Sequence, residues 1–392
     1  MNTIGSARLQ LLGSAIFTEM AQLKQQVASQ GIEVIDLGIG SPDGPPHPRI
    51  QQALAEGIAR QGFYGYPSSE GSAQFREAVA EWYTYRFGVT LDAQTEVLTL
   101  MGSQDGLAHL PMALADPGEL ALVPNPGYPI YNAGVALAGI EAYPYPLREQ
   151  NGYLPDLERI PADIAQRAKF MIVNYPNNPL AAVADLAFYE RLVVFARKHE
   201  ILIVHDAAYS EMAFDGFIPP SILQIPQAKD VCVEFHSLSK SFNMAGCRIG
   251  FLVGHAGAVG ALKALKANID YGVYSAVQHA GVEALRLSIE TGYKPAALYE
   301  DRRNVFVHEF RQFGWEIPSP KATMFLWARI PEGGTSRQIS REILQNTGVV
   351  VIPGDAFGSE GEGYVRIALV HDKETLQEAA LRIGKWFTSL RQ

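Results

Sequence analysis

A lysine able to act as a nucleophile stands at Lys240, closing the run Ser237-Leu-Ser-Lys240, and Arg248 follows eight residues later. A carboxylate and a phenol, Asp206 and Tyr209, share His205-Asp-Ala-Ala-Tyr209. Asn178 lies in Asn174-Tyr-Pro-Asn-Asn-Pro179, Tyr128 in Pro124-Asn-Pro-Gly-Tyr-Pro129, and Ser103 and Gln104 in Met101-Gly-Ser-Gln-Asp-Gly106. A second guanidinium, Arg366, sits in Tyr364-Val-Arg366. Each has a bland reading by itself. Ser103 suits a helix cap, Asn177-Asn178-Pro179 a turn, the tyrosines a core, the arginines ion pairs and the lysine a solvated surface. Together they offer an amine, an acid, anion-binding groups, a stacking ring and a carboxylate-binding fork.

Their positions make the set informative. All but Arg248 and Arg366 stand just after short apolar runs, Val97–Leu100, Leu120–Val123, Phe170–Val173, Ile201–Val204 and Val231–Phe235, and Arg248 immediately precedes another, Ile249–Val253. Such runs alternating with amphipathic stretches predict an α/β fold, a doubly wound and mostly parallel sheet covered on both faces. Ligands collect at the carboxyl ends of such strands, so five polar strand ends converge on one crevice. The large domain is expected over residues 50–285, with helices at Arg49–Arg60 and Ser72–Phe87 around its start. Residues 286–392 predict a smaller α+β domain. It should hold one long helix over Gly292–Phe313, interrupted near Lys294-Pro295, and strands at Met324–Ile330, Val349–Ile352 and Tyr364–Leu369. Helices are expected at Ser336–Gln345 and Lys373–Leu390. Residues 1–49 form a segment joining that small domain: a helix from Leu9 to Val27, a strand at Glu33–Leu37 and a turn-rich loop from Gly38 to Pro48.

Composition narrows the function. The chain has 392 residues, 47% of them apolar, enough for two or three domains at about 100–200 residues each. Acids outnumber bases 41 to 32, so no basic footprint for nucleic acid exists. Two cysteines exclude a disulfide scaffold, and a reducing cytoplasm is the expectation. No apolar run reaches the ~18 residues of a membrane span. Gly38-Ile-Gly40 could begin a dinucleotide fingerprint, but Pro42, Pro45, Pro46 and Pro48 prevent the helix it must open. No phosphate loop, zinc-protease motif or nucleophile elbow occurs, and the nine histidines are scattered, so no metal site is expected.

One cofactor would use all of the polar groups. Pyridoxal phosphate needs a lysine amine, an anion hole, an acid beside its ring nitrogen and a stacking aromatic, and an amino-acid substrate adds a need for a bidentate arginine. On these runs, above all Ser237-Leu-Ser-Lys240-Ser-Phe-Asn-Met-Ala-Gly-Cys-Arg248-Ile-Gly250, the whole chain resembles the class I/II aminotransferases of pyridoxal-phosphate fold type I. Leu37-Gly-Ile-Gly-Ser-Pro-Asp43 and Asn174–Pro179 resemble the branch of LL-diaminopimelate and methionine aminotransferases.

The resemblance implies roles. Lys240 would bind the cofactor covalently and shuttle a proton, Asp206 would pair with the ring nitrogen, and Tyr209 and Asn178 would bind its phenolic oxygen. Tyr128 would stack on the ring. Ser103, Gln104, Ser237 and Arg248 would hold the phosphate, with Tyr66, in Tyr66-Pro-Ser-Ser-Glu-Gly71, reaching across from a second subunit. Arg366, Asn178 and the Gly40 backbone would clamp the substrate carboxylate. The implied enzyme is a homodimeric, biosynthetic aminotransferase exchanging an amino group between an amino acid and a 2-oxo acid. A carbon–sulfur lyase shares every cofactor residue and is the alternative; a ligand-sensing domain fits less well, since no helix-turn-helix pattern precedes residue 33. Side-chain specificity is expected from Phe17 and from loops near Tyr66 and Tyr271–Tyr274. Three positions depart from the family: Leu180-Ala181 where Thr or Ser then Gly is usual, Gln104 where a lysine is frequent, and Cys247 in place of a tryptophan. The first puts the local turn in question, and the second removes a charge near the phosphate.

Overall fold

The computed structural model describes residues 5–6, 8–9, 12, 15–331 and 333–389. Its strands are β1 (Ile35–Asp36), β2 (Val97–Leu100), β3 (Leu120–Asn125), β4 (Glu141–Pro146), β5 (Ala168–Asn174) and β6 (Leu202–Asp206). They continue as β7 (Cys232–Ser237), β8 (Gly250–Gly254), β9 (Phe325–Arg329), β10 (Val349–Val350), β11 (Ile352–Pro353) and β12 (Tyr364–Ala368). Seven of them form one sheet in the order β2-β8-β7-β6-β5-β3-β4. The run from β7 to β4 is parallel, and β8 alone reverses, pairing antiparallel with both β2 and β7.

The apolar runs become central strands because both faces are covered. Met171 and Val173 enter one core cluster, while Phe170 and Ile172, pointing the other way, enter another. A strand buried on both sides has no polar alternation to show, hence the unbroken apolar sequence. β4 escapes sequence reading for the opposite reason. Its Pro144 and Pro146 remove backbone donors, which only an edge strand tolerates, and it is largely exposed at the sheet's edge.

The C-terminal part carries a three-stranded antiparallel sheet, β11-β12-β9. Two expectations need correction there. Val349–Ile352 is two strands, parted at Val351, because its halves take different partners: β10 pairs parallel with β1, and β11 pairs with β12. The helix expected over Gly292–Phe313 starts only at Ala296, after Pro295, and Gly292 instead ends the preceding helix Ser275–Thr291 in a left-handed conformation. Ile35 and Leu37 join Phe306, Phe310, Leu326 and Ile383 in the core of this part. The N-terminal helix spans Ala15–Ser29, with residues 10, 11, 13 and 14 outside the described set, and its Met20 and Val27 pack on Leu344 and Val350. The loop after Leu37 is pinned by a bidentate pair, Arg302 to Asp43, at 2.8 and 2.7 Å. Among the described residues, no helix is long and apolar enough to cross a membrane.

Candidate active site

The carboxyl ends of β2, β5, β6 and β7 open into a cavity of about 770 Å³, closed on its other side by the loop 38–41 and by Phe325 and Arg366. Gly40, Ser103, Gln104, Tyr128, Asn178, Asp206, Tyr209, Ser237, Lys240, Arg248 and Arg366 all line it. Tyr66 does not; the residue is 88% exposed and its ring packs on Tyr271. The Phe17 side chain lies outside the described residues.

Asp206 ends β6 and is buried. The Tyr131 hydroxyl donates to its Oδ2 at 2.7 Å and the Ala208 N–H to its Oδ1 at 3.2 Å. Burial pushes its carboxyl up from the ordinary range, while those two donors pull it back. Asn174 braces the neighbourhood, donating to the Asp206 carbonyl at 2.7 Å and accepting from the Asn178 N–H at 2.8 Å. Lys240, in the short helix Leu238–Ser241 that follows β7, donates to the Gly40 carbonyl at 2.7 Å. Its ammonium is brought down to about 8 by burial first, then by the positive charges of Arg366 and Arg248.

One wall is built for an anion. Gly102, with φ of 82°, caps the helix Ser103–Leu114 with no side-chain partner, so the cap falls on Gly102 and Ser103 begins the helix. First-turn N–H groups of such a helix have no intrahelical acceptor. A Cβ on Gly102 would lie 2.5 Å from Arg248 Nη2, and one on Gly250 would lie 2.9 Å from the Ser103 nitrogen. Ser237 Oγ accepts from the Ser239 N–H at 3.3 Å, and Ser239 Oγ is buried without a partner among the described residues. Tyr128 donates to Gln104 Oε1 at 3.1 Å, so Gln104 supplies a polar group where a charge was expected to be missed.

The opposite wall is a buried guanidinium. Arg366, on β12, donates to Asn178 Oδ1 at 2.9 Å and to the Gly38 carbonyl at 2.6 Å, between the rings of Phe325 and Phe357. Burial brings it down to about 10. Among the described residues it has no carboxylate in ion-pair contact, which removes the structural ion pair as its explanation. Tyr209 packs edge-on to Phe325, and burial pushes its phenol up. The turn at Leu180-Ala181 forms, with the Asn177 N–H donating to the Ala182 carbonyl at 2.9 Å, but Ala181 takes φ of 55°, a conformation that favours glycine.

Sequence reasoning missed Tyr131, Asn174 and Gly38, which act here through neighbours distant in the chain, and Ser239, whose hydroxyl faces the anion wall. It also treated the histidines as scattered. Behind Asp206, on the other face of the sheet, His205 and His236 each lie 2.8 Å from the buried Glu234 carboxylate, which also accepts from Tyr83 and Ser221. The pairing of β6 with β7 sets His205 opposite Glu234, a register no single strand reveals.

Residues 32–383 match the model of the family described as aminotransferase class I and II. The LL-diaminopimelate aminotransferase of Moorella thermoacetica is 45% identical over 378 residues, 96% of this chain and 97% of its own. That of Nitratidesulfovibrio vulgaris is 46% identical over 379 residues, 96% and 98%. Among solved structures, substrate-bound BacF from Bacillus subtilis superposes with a TM-score of 0.90 at 40% identity, over 94% of each chain. A probable N-succinyldiaminopimelate aminotransferase from Thermus thermophilus gives 0.89 at 40% identity, over 94% of this chain and 99% of that one. With Lys240, Asp206 and Arg366 gathered around one cavity of such a fold, this chain belongs to the class I and II aminotransferases and is an enzyme that transfers amino groups.

Proposed function

We propose that this aminotransferase works with pyridoxal phosphate, taking an LL-diaminopimelate-like donor and a 2-oxo acid such as 2-oxoglutarate as acceptor. The observation that carries the reading is Arg366: a buried guanidinium without an acidic partner among the described residues, in the same cavity as Lys240 and Asp206. Amino acids and 2-oxo acids share the α-carboxylate that such a fork binds. Support for the donor comes from relatives named LL-diaminopimelate aminotransferases, similar over nearly the full length.

The residues fit the cofactor. The helix start at Gly102, the Arg248 guanidinium and the Ser239 hydroxyl, which has no partner among the described residues, suit a phosphate, and the buried Asp206 suits a cationic ring nitrogen. When bound, pyridoxal phosphate supplies an aldehyde that exchanges with amino groups and a ring that draws electrons from the substrate Cα. Ser103, Gln104, Ser237 and Arg248 would bind the phosphate, joined by Tyr66 of a second copy of the chain. Asp206, oriented by Tyr131, would hold a proton at the ring nitrogen. Tyr209 and Asn178 would donate to the phenolic oxygen, and Tyr128 would cover the ring face. Lys240 would anchor the group through Nζ and move the proton at the substrate Cα. Arg366, Asn178 and the Gly40 backbone would orient the carboxylate. In this frame residues 50–285 carry the cofactor, and residues 286–392, joined by 1–49, carry the carboxylate clamp.

A half-reaction screen tests the reading. The loaded enzyme is mixed with single amino acids, including LL- and meso-diaminopimelate, methionine, aspartate and lysine, and the visible absorbance is followed; 2-oxoglutarate is then added to restore it. The LL isomer should convert the spectrum fastest. Methionine reacting faster than LL-diaminopimelate would move the donor to the methionine-like class. Pyruvate or ammonia released from a β-thio amino acid without any oxo acid would point to lyase chemistry.

A further inference from the structure

Lys266 is fully buried, near the end of the helix Ala256–Ile269, and its ammonium lies 2.7 Å from both Asp105 Oδ2 and Asp270 Oδ2. The two carboxylates belong to different devices. Asp105 stands in the first turn of Ser103–Leu114 and accepts from the Met101 N–H at 3.3 Å, with His109 Nδ1 2.9 Å from its other oxygen, so it fixes the helix start that walls the cavity. Asp270 accepts from the Gly272 N–H at 2.6 Å and so shapes the chain that carries Tyr271 and Tyr274.

That stretch is locked to a second one. At Gly272, φ is 87° and an added Cβ would lie 2.5 Å from the Ser68 carbonyl oxygen. Gln278 accepts from the Ser72 N–H at 2.7 Å and donates to the Val273 carbonyl at 2.6 Å, tying both stretches again. The result is an exposed tyrosine surface, Tyr66 against Tyr271 at 5.0 Å and Tyr64 against Tyr274 at 5.8 Å. An apolar side chain in place of Lys266, with neutral partners, would avoid the desolvation of three charges, so stability alone does not account for the triad.

We propose that Lys266 is a positioning residue that couples this tyrosine surface, where a second copy of the chain docks, to the helix start at the phosphate subsite, so that assembly and cofactor binding strengthen each other. The inference rests on the dimeric, pyridoxal-phosphate reading given above. Linkage makes the coupling reciprocal: whatever factor the cofactor adds to dimer affinity, dimerisation adds to cofactor affinity.

Sedimentation of the full chain with and without saturating pyridoxal phosphate measures the dimer dissociation constant in each state. For the wild type the cofactor should tighten the dimer roughly tenfold or more. Asp270→Asn lies outside the cavity lining and keeps the side-chain shape, yet it should cut that factor to roughly threefold or less, and Lys266→Met should do the same. Cofactor affinity from fluorescence titration should weaken in parallel. If both folded variants keep the wild-type factor, the triad is only structural and the inference fails while the dimer stands. A wild-type chain that binds cofactor but stays monomeric at every concentration overturns the dimer and the coupling together. Should one variant fail to fold, the other decides.

Discussion

Burial and two neighbouring guanidinium groups act in the same direction on Lys240, bringing its ammonium down to about 8. Only the neutral amine attacks an aldehyde. The association rate of pyridoxal phosphate with the apoprotein should therefore climb about tenfold per pH unit and level off above about 8. Stopped-flow absorbance checks this; a rate still climbing toward the pKa of a free lysine contradicts it. The sign for stability follows from the same displacement. The unfolded chain holds the proton to higher pH, so the cost of burying the ammonium is complete below about 8 and fades as pH rises beyond it. At Arg366 the test is a conservative change. Lysine cannot reproduce the fork, and a charge-assisted pair is worth ~1.5–3 kcal/mol, so Arg366→Lys should raise KM for donor and acceptor together by roughly 10–100-fold. Unaltered KM values with a lower melting temperature would make Arg366 structural. The groups at strand ends were legible because chemistry-bearing types followed each apolar run. Tyr131 was not, since nothing in its helix marks it; only the fold brings its hydroxyl to Asp206.

Strands and helices set how closely these groups meet. β8 must pass β7 and the start of Ser103–Leu114 with no side chain at Gly250, where a Cβ would lie 2.6 Å from the His236 carbonyl oxygen. Both neighbours are backbone and cannot swing aside. Gly250→Ala should therefore destabilise the fold by ~1–3 kcal/mol. Because the displaced backbone includes the Ser103 N–H, it should also weaken binding of pyridoxal phosphate. Urea unfolding and cofactor titration measure the two effects; unchanged stability would mean the approach of β8 is looser than described. The central strands were legible from their apolar runs to within a few residues. β4 was hidden by its prolines, and the division between β10 and β11 by a continuous apolar run, Val349–Ile352, that serves two sheets. Composition carries no mark of which partner a strand will choose.

For the whole molecule, the exposed Tyr66 is the point where one chain alone does not complete the proposed site. Tyr66→Phe should leave the monomer's stability within about 0.5 kcal/mol, since the residue is on the surface, yet weaken cofactor retention in the dimer. Equilibrium dialysis of the loaded protein reads this, and full retention would detach Tyr66 from the site. The cavity takes its walls from both sheets: Asp206 ends β6, Lys240 follows β7, and Arg366 stands on β12 of the small sheet. The central claim is that Lys240 holds the cofactor in that cavity. Borohydride reduction of the protein loaded with pyridoxal phosphate, followed by peptide mass mapping, tests it most directly. The phosphopyridoxyl label should sit on the peptide containing Lys240 and on no other, and a label on a different lysine, or none at all, would contradict the account.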